Sequence, residues 1–262
     1  MSRIDADFPL AALLGNTKIS QPNHINMVLE KGIGVAQTRD FLETAGRYVT
    51  HWKLGFGTSV FCDAAHLKRK TKLIRDYGAT VFPGGTCFEV MLAKGNWMAY
   101  FSLVKDLGFN GIEISDGSLD VPEDVRRTAI AKGRELGFTV LTEVGKKDPA
   151  HQLSAEQALS TLHADIGAGA DYVILEARES GRAVGIFDEN GDVRIEQFKS
   201  LVAGIARPLL PRVIWEAPLK SQQVFLIREL GPAVNLGNLR MEEVLAVESL
   251  RHGLRWETIH GV

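Results

Sequence analysis

Four glutamates recur at one kind of place along this chain. Glu113, Glu143, Glu176 and Glu216 each close a short β-rich run, in the pairs Ile112-Glu113, Thr142-Glu143, Leu175-Glu176 and Trp215-Glu216, at separations of 30, 33 and 40 residues. Cations gather in the same segments: Lys53 in THWKLGFG, Lys146 and Lys147 just after FTVLTEV, Arg178 at the end of DYVILEAR, and Lys220 after RVIWEAP. Buried carboxylates and ammonium groups each cost several kcal/mol unless they are paired or metal-bound. Two arrangements suit such a set. One is an interior salt-bridge network that stiffens the fold; the other is a site holding a divalent metal and a strongly anionic substrate. The second is favoured because glycine-lined space lies beside the charges. Pro83-Gly84-Gly85-Thr86 and Asn235-Leu236-Gly237-Asn238 both bare backbone N–H groups, and the second precedes a helix expected near Met241. Gly84, Gly85, Gly237 and Asn238 are therefore candidate phosphate contacts, although either corner alone reads equally well as an ordinary turn.

The elements that must position these residues are legible as eight β-rich runs ending in Gly or Pro: 25–32, 50–57, 79–86, 111–117, 138–145, 171–178, 212–218 and 233–239. Stretches with helical spacing lie between them, among them 63–77, 97–107, 123–136, 155–168, 221–230 and 241–250. Pro122 suits the opening of a helix, and Asp76-Tyr77-Gly78 suits a close. Eight strands alternating with helices predict a single (β/α)8 barrel, an α/β fold whose active sites sit at the C-terminal ends of the strands. Side chains two apart share a strand face. Glu113 thus shares a face with Ser115, Glu143 with Thr139 and Leu141, Glu176 with Tyr172, Ile174 and Arg178, and Glu216 with Arg212 and Ile214. The loop 179–193 carries Asn190-Gly191, a hairpin-turn signal. It reads as a lid that carries Arg182 over substrate, or as a solvated hairpin.

Composition narrows the partners. Thirty Lys+Arg against 32 Asp+Glu give a formal charge of −2 in 262 residues, so no broad basic field exists for nucleic acid or an anionic membrane. Residues 1–20 read as a short N-terminal extension, with 21–262 forming the barrel. The apolar run 8–14 holds Pro9 and is far shorter than a membrane span. Two cysteines, Cys62 and Cys87, form neither a disulfide framework nor a zinc cluster, and point to a cytoplasmic protein. The seven histidines show no metal-ligand spacing, and no Gly-x-Ser-x-Gly elbow is present.

The segments KLGFGTS (53–59), FPGGTCFE (82–89), EISDGSLD (113–120), LTEVGKKDP (141–149), ARESG (177–181), EAPLKSQQ (216–223) and VNLGNL (234–239) resemble those of the phosphosulfolactate synthase family, in order and with matching intervals. The resemblance implies a (β/α)8 barrel and a magnesium-dependent addition of sulfite to phosphoenolpyruvate. The product is (2R)-phospho-3-sulfolactate, early in one route to coenzyme M. It implies that Lys147, the second lysine of TEVGKK, is the general acid that protonates an Mg2+-stabilised enediolate, with Lys53, Glu143 and Arg178 beside it. Glu113, Glu143 and Glu176 become the leading metal ligands, with Asp116 and Glu216 behind them. Lys146 and Lys220 join the glycine corners in holding the small anionic substrates. A homo-oligomer is the default expectation for such an enzyme. Departures from the family pattern are mild: Glu30-Lys31-Gly32 for Asp-Lys-Gly, Phe56 for Trp, and Glu257-Thr258 for Asp-Thr. Two rival readings remain. In one, Lys53 or Lys147 forms a Schiff base as in an aldolase; in the other, the protein is a non-catalytic, stress-related relative.

Overall fold

Each of the eight β-rich runs contains one strand in the computed structural model, which describes residues 23–260. The expected extension over 1–20 lies outside the described residues. The strands are β1 (Asn26–Glu30), β2 (His51–Leu54), β3 (Thr80–Pro83), β4 (Gly111–Ile114), β5 (Thr139–Val144), β6 (Tyr172–Leu175), β7 (Val213–Glu216) and β8 (Leu236–Leu239). All pair in parallel, in the order β3-β2-β1-β8-β7-β6-β5-β4. β1 therefore bonds to both β2 and β8, and the sheet curls until its two ends, β3 and β4, meet. There the Asn110 side chain accepts from the Val81 N–H at 2.7 Å, and the Asn110 N–H donates to the Val81 carbonyl at 3.3 Å. The same device recurs elsewhere: Asp171 accepts from the Val140 N–H and Asn235 from the Ile25 N–H, both at 2.8 Å. A short polar residue just before a strand thus satisfies a backbone donor of its neighbour, as buried backbone groups require.

The helices are α1 (Val35–Ala45), α2 (Ala64–Asp76), α3 (Thr86–Ala93), α4 (Trp97–Asp106), α5 (Glu123–Glu135), α6 (Ala155–Ala168), α7 (Ile195–Gly204), α8 (Lys220–Leu230) and α9 (Val244–Arg251). Their boundaries follow the local chemistry. Asp63 caps α2 through the His66 N–H at 2.7 Å, and α2 ends at Asp76 before Gly78 in the left-handed region. Pro122 precedes α5, and Ser154 with Gln157 forms a capping box at α6. The helices α1, α3 and α7 were not among those singled out by spacing. Among the described residues, no helix is long and apolar enough to cross a membrane.

Apolar side chains pack in two layers. Between sheet and helices lie residues such as Val28, Trp52, Ile112, Val173 and Trp215. Inside the barrel lie Ile25, Met27, Phe82, Leu141, Ile174 and Ile214. The strand period of two then decides the rest. Two residues past Leu141, Ile174 and Ile214 come Glu143, Glu176 and Glu216, so all three carboxylates enter the barrel interior at the C-terminal end. The loop after β6 is a hairpin closed by a Phe187–Val193 bridge, with Gly191 donating to the Asp188 carbonyl at 3.0 Å. Val184, Ile186 and Phe187 are buried, and Arg182, which precedes the bridged segment, is exposed. The segment is a hairpin anchored in the core by these side chains rather than a fully solvated one.

Candidate active site

A cavity of about 220 Å³ opens at the C-terminal ends of the strands, lined by Lys53, Gly84, Gly85, Glu113, Glu143, Lys147, Glu176, Arg178, Glu216 and Asn238, with Leu29, Gly55, Phe56, Thr86 and Glu179 around them. Most residues proposed from sequence spacing thus meet in one place. Lys53 sits at its floor. Its Nζ is 3.0 Å from Glu113 Oε2, 3.1 Å from Glu143 Oε2 and 3.2 Å from Glu216 Oε1. An ammonium group has three protons, and three carboxylates surround this one. Lys147 lies nearer solvent, 2.6 Å from Glu143 Oε1 and 3.1 Å from Glu176 Oε2. Backbone donors hold the remaining oxygens: Gly85 N–H to Glu113 Oε1 at 2.9 Å, Ala177 N–H to Glu216 Oε2 at 3.0 Å, and Arg178 N–H to Glu176 Oε1. A Cβ on Gly85 would stand 2.7 Å from Glu113 Oε1 and 2.5 Å from Ser115 Oγ, so glycine is needed for the loop to reach that carboxylate.

Burial and neighbouring charge compete at each group. Burial pushes Glu113 up to about 8, against the pull of Lys53. Burial, with Glu143 and Glu216 beside it, raises Glu176 well above the usual carboxylate range, and burial raises Glu216 too. Glu143 goes the other way: burial opposes its charge, but Lys147 and Lys53 together hold it well below the usual value. Burial also works against both lysines, yet the surrounding glutamates keep both ammonium groups above the usual lysine value. Four ionised glutamates against two ammonium groups would leave two negative charges in excess. One divalent cation would cancel that excess. Glu143, Glu176 and Glu216 each present an oxygen within 4.8 Å of the other two, and the Asn238 side-chain oxygen is buried without a hydrogen-bond partner. These oxygens are hard donors of the type that suits Mg2+. The converging set includes Glu216 in place of Glu113.

The other expected site residues lie elsewhere. Asp116 does not line the cavity: it faces Arg126 at 3.4 Å and Lys146 at 3.2 Å. Lys146 is drawn aside by Asp116 and Asp120, and Lys220 pairs with Glu257 at 2.5 Å on the outside of the mouth. Gly237 is within β8, where a Cβ would stand 2.7 Å from Met27 Cε, so it makes room in the barrel core. Glu30, one residue out of phase with inward-facing Leu29, points away from the cavity to Lys70 at 2.5 Å. The exchange of Asp for Glu there leaves the pocket untouched. Cys87 is buried and Cys62 half-buried, both as free thiols.

Two supports escaped the reading of the sequence. Glu89 in α3 accepts from the Ser118 and Leu119 N–H groups at 2.8 and 2.7 Å and from the Ser115 hydroxyl, which shapes the turn after β4. Arg126 in α5 holds Asp165 of α6 at 2.6 Å and donates to the Glu143 carbonyl at 3.0 Å. Both lie on helices, where a charged residue normally reads as a solvated face. The backbone adds a further mark. Four described non-glycine residues have left-handed φ, and three of them, Phe56 (φ 55°), Arg178 (φ 58°) and Asn238 (φ 53°), line this cavity. Strain of this kind gathers at functional sites.

Comparison with known proteins extends the picture. Residues 16–257 match the family model for (2R)-phospho-3-sulfolactate synthase (ComA). The phosphosulfolactate synthase of Methanocaldococcus jannaschii is 41% identical over 236 residues, covering 89% of this chain and 93% of that protein. That of Bacillus subtilis is 34% identical over 235 residues, covering 89% and 91%. Among solved structures, 3-hexulose-6-phosphate synthase from Salmonella typhimurium superposes with a TM-score of 0.53 at 14% identity, covering 86% of this chain and 99% of that one. A 2,3-dimethylmalate lyase does so with a TM-score of 0.52 at 14% identity, covering 97% and 84%. At such identities these two are alike in fold alone.

Proposed function

The chain belongs to the (2R)-phospho-3-sulfolactate synthase family, and from that premise we propose that it adds sulfite to phosphoenolpyruvate to give (2R)-phospho-3-sulfolactate. The observation that carries this reading is the make-up of the pocket. A proton-bearing lysine, Lys147, and an exposed arginine, Arg178, face a cavity whose floor is an acidic cluster with room for a cation. In the reaction the sulfite sulfur attacks the methylene carbon and forms the C–S bond. The alkene electron pair passes toward the carbon bearing phosphate and its carboxylate. Lys147 Nζ gives its proton to that carbon, and the amine recovers one from solvent. Because Lys147 enters only from the β5 end, the proton arrives on one face and sets the hand of the product.

Glu143, Glu176 and Glu216 are the residues that would hold Mg2+, whose chemistry when bound is to stabilise negative charge on the substrate carboxylate oxygens. The chain's own groups do the rest. Glu143 bridges the two lysines and holds Lys147 protonated and aimed. Lys53 sits among Glu113, Glu143 and Glu216, hydrogen-bonded to Glu143 and Glu216 and in ion-pair contact with Glu113. An ammonium so enclosed offers no lone pair for a Schiff base, which speaks against Lys53 as the lysine of the aldolase alternative. Arg178 offers its guanidinium to the anionic end of substrate. The two free thiols agree with a reducing compartment.

Incubation of the protein with phosphoenolpyruvate, sulfite and Mg2+ tests the proposal. A product of the summed mass, with phosphate retained and dependent on sulfite, is expected by mass spectrometry. Absence of any sulfonate at every pH where the protein stays folded would overturn it.

A further inference from the structure

Arg178 is in a conformation that an arginine does not choose. Left-handed φ is populated readily by glycine and, among other residues, chiefly by Asn and Asp. Here it is enforced from both sides of the residue. The Arg178 N–H donates to Glu176 Oε1, and its carbonyl accepts from Asn238 Nδ2 at 3.3 Å. The next residue, Glu179, is tied to Lys31 across the mouth at 2.6 Å. Asn238, at the end of β8, is itself left-handed and only 5% exposed, and its bond reaches past β7 to the end of β6. What this holds in place matters, because both lysines of the cavity are committed to glutamates. Among the described residues that line the cavity, the Arg178 guanidinium is the cation without an acidic partner.

The sequence suggested the Asn238 backbone N–H as a phosphate contact, and the side chain of the same residue is engaged elsewhere. The nitrogen is turned to the Arg178 carbonyl, and the atom left unpartnered is an oxygen, which accepts hydrogen bonds and does not attract an anion. We propose that Asn238 is a positioning residue for Arg178. Its amide holds the Arg178 peptide in the left-handed region and so keeps the guanidinium facing the pocket, where it takes the phosphate or carboxylate end of substrate. The inference rests on the proposed reaction for the identity of that anion, but not for the conformation of Arg178.

Steady-state kinetics and crystallography on the full chain test it. Asn238→Ala should raise KM for phosphoenolpyruvate about five- to ten-fold, the worth of one net hydrogen bond, with kcat much less affected. Asn238→Gly keeps the left-handed backbone free of strain but lacks the donor, and it should behave like Asn238→Ala; it also serves if the alanine variant fails to fold. Arg178→Ala should raise KM by more, and Asn238→Ala added to it should change nothing further, because residues acting as one unit are non-additive. In a crystal structure of Asn238→Gly, Arg178 should have left the left-handed region. Full additivity of the two substitutions, wild-type KM in Asn238→Gly, or an unmoved Arg178 in that crystal would each overturn the proposal. If the wild type shows no turnover with phosphoenolpyruvate and sulfite, the proposed reaction fails, and the Arg178 conformation in Asn238→Gly still decides this inference.

Discussion

Two buried clusters of charge stand at opposite ends of one barrel and follow different rules. At the N-terminal end of the strands, Glu248 accepts from Asn26 Nδ2 at 2.7 Å and meets His24 Nε2 at 2.8 Å. Arg251 reaches Asn26 Oδ1 at 3.0 Å and the Val234 carbonyl at 2.7 Å. One carboxylate faces one guanidinium, with a histidine and an amide completing the bonds. Burial opposes the charge on Glu248, but His24, Asn26 and Arg251 together hold it below the usual range. This cluster ties the first strand to the last helix, and its charges balance. The cluster at the mouth sets four carboxylates against two ammonium groups, with three of the carboxylates pushed upward and a cavity beside them. A balanced buried network stabilises a fold. An unbalanced one beside open space is held at a cost in stability and is completed by what binds there.

The largest expected effect lies at the mouth. Lys147→Ala should lower kcat about 10²- to 10⁴-fold, the usual contribution of a general acid, while thermal unfolding in Mg2+ stays cooperative; turnover near that of the wild type would remove Lys147 from the reaction. At the base the signature should invert. Glu248→Ala breaks a balanced buried pair and should cost about 3–5 kcal/mol in urea unfolding, with kcat unchanged. A loss of turnover without a loss of stability would erase the distinction between the two ends.

Next comes the metal-free response to pH. Glu113 is raised from an ordinary 4.5 to about 8, so the folded state holds its proton where the unfolded state has released it. Its contribution is present at acid pH and is lost as pH climbs from about 4.5 to about 8. Tm in chelator should fall across that window, and Mg2+ should lessen the fall; a Tm that rises there would contradict the account of the mouth as overcharged. The smallest effect is expected at Lys220, an exposed side chain paired with Glu257 outside the cavity. Lys220→Ala should leave KM and Tm as in the wild type, and a rise in KM would return this lysine to substrate binding.

Much of this was legible in the chain. Glu143, Glu176 and Glu216 were placed at strand ends on the same faces as Leu141, Ile174 and Ile214, and those faces line the barrel. Local rules suffice for such statements. Lys220 and Lys146 sit at the expected end too, yet nearby acids turn them outward. Gly237 belongs to the strand rather than to the turn after it. Arg126 and Glu89 were missed because each acts from a helix on another element, Arg126 on α6 and β5 and Glu89 on the turn after β4.

The amino-acid order alone determined the eightfold alternation, the end of the barrel where charge collects, and the family to which those motifs lead. Alternation along a strand and the capping of a helix depend on residues only a few places apart. Tertiary structure decided which carboxylates converge, that Lys53 is enclosed by three of them, and that Asn238 grips Arg178 sixty residues earlier in the chain. Those contacts cross the barrel, so they depend on how its strands are staggered when the sheet closes.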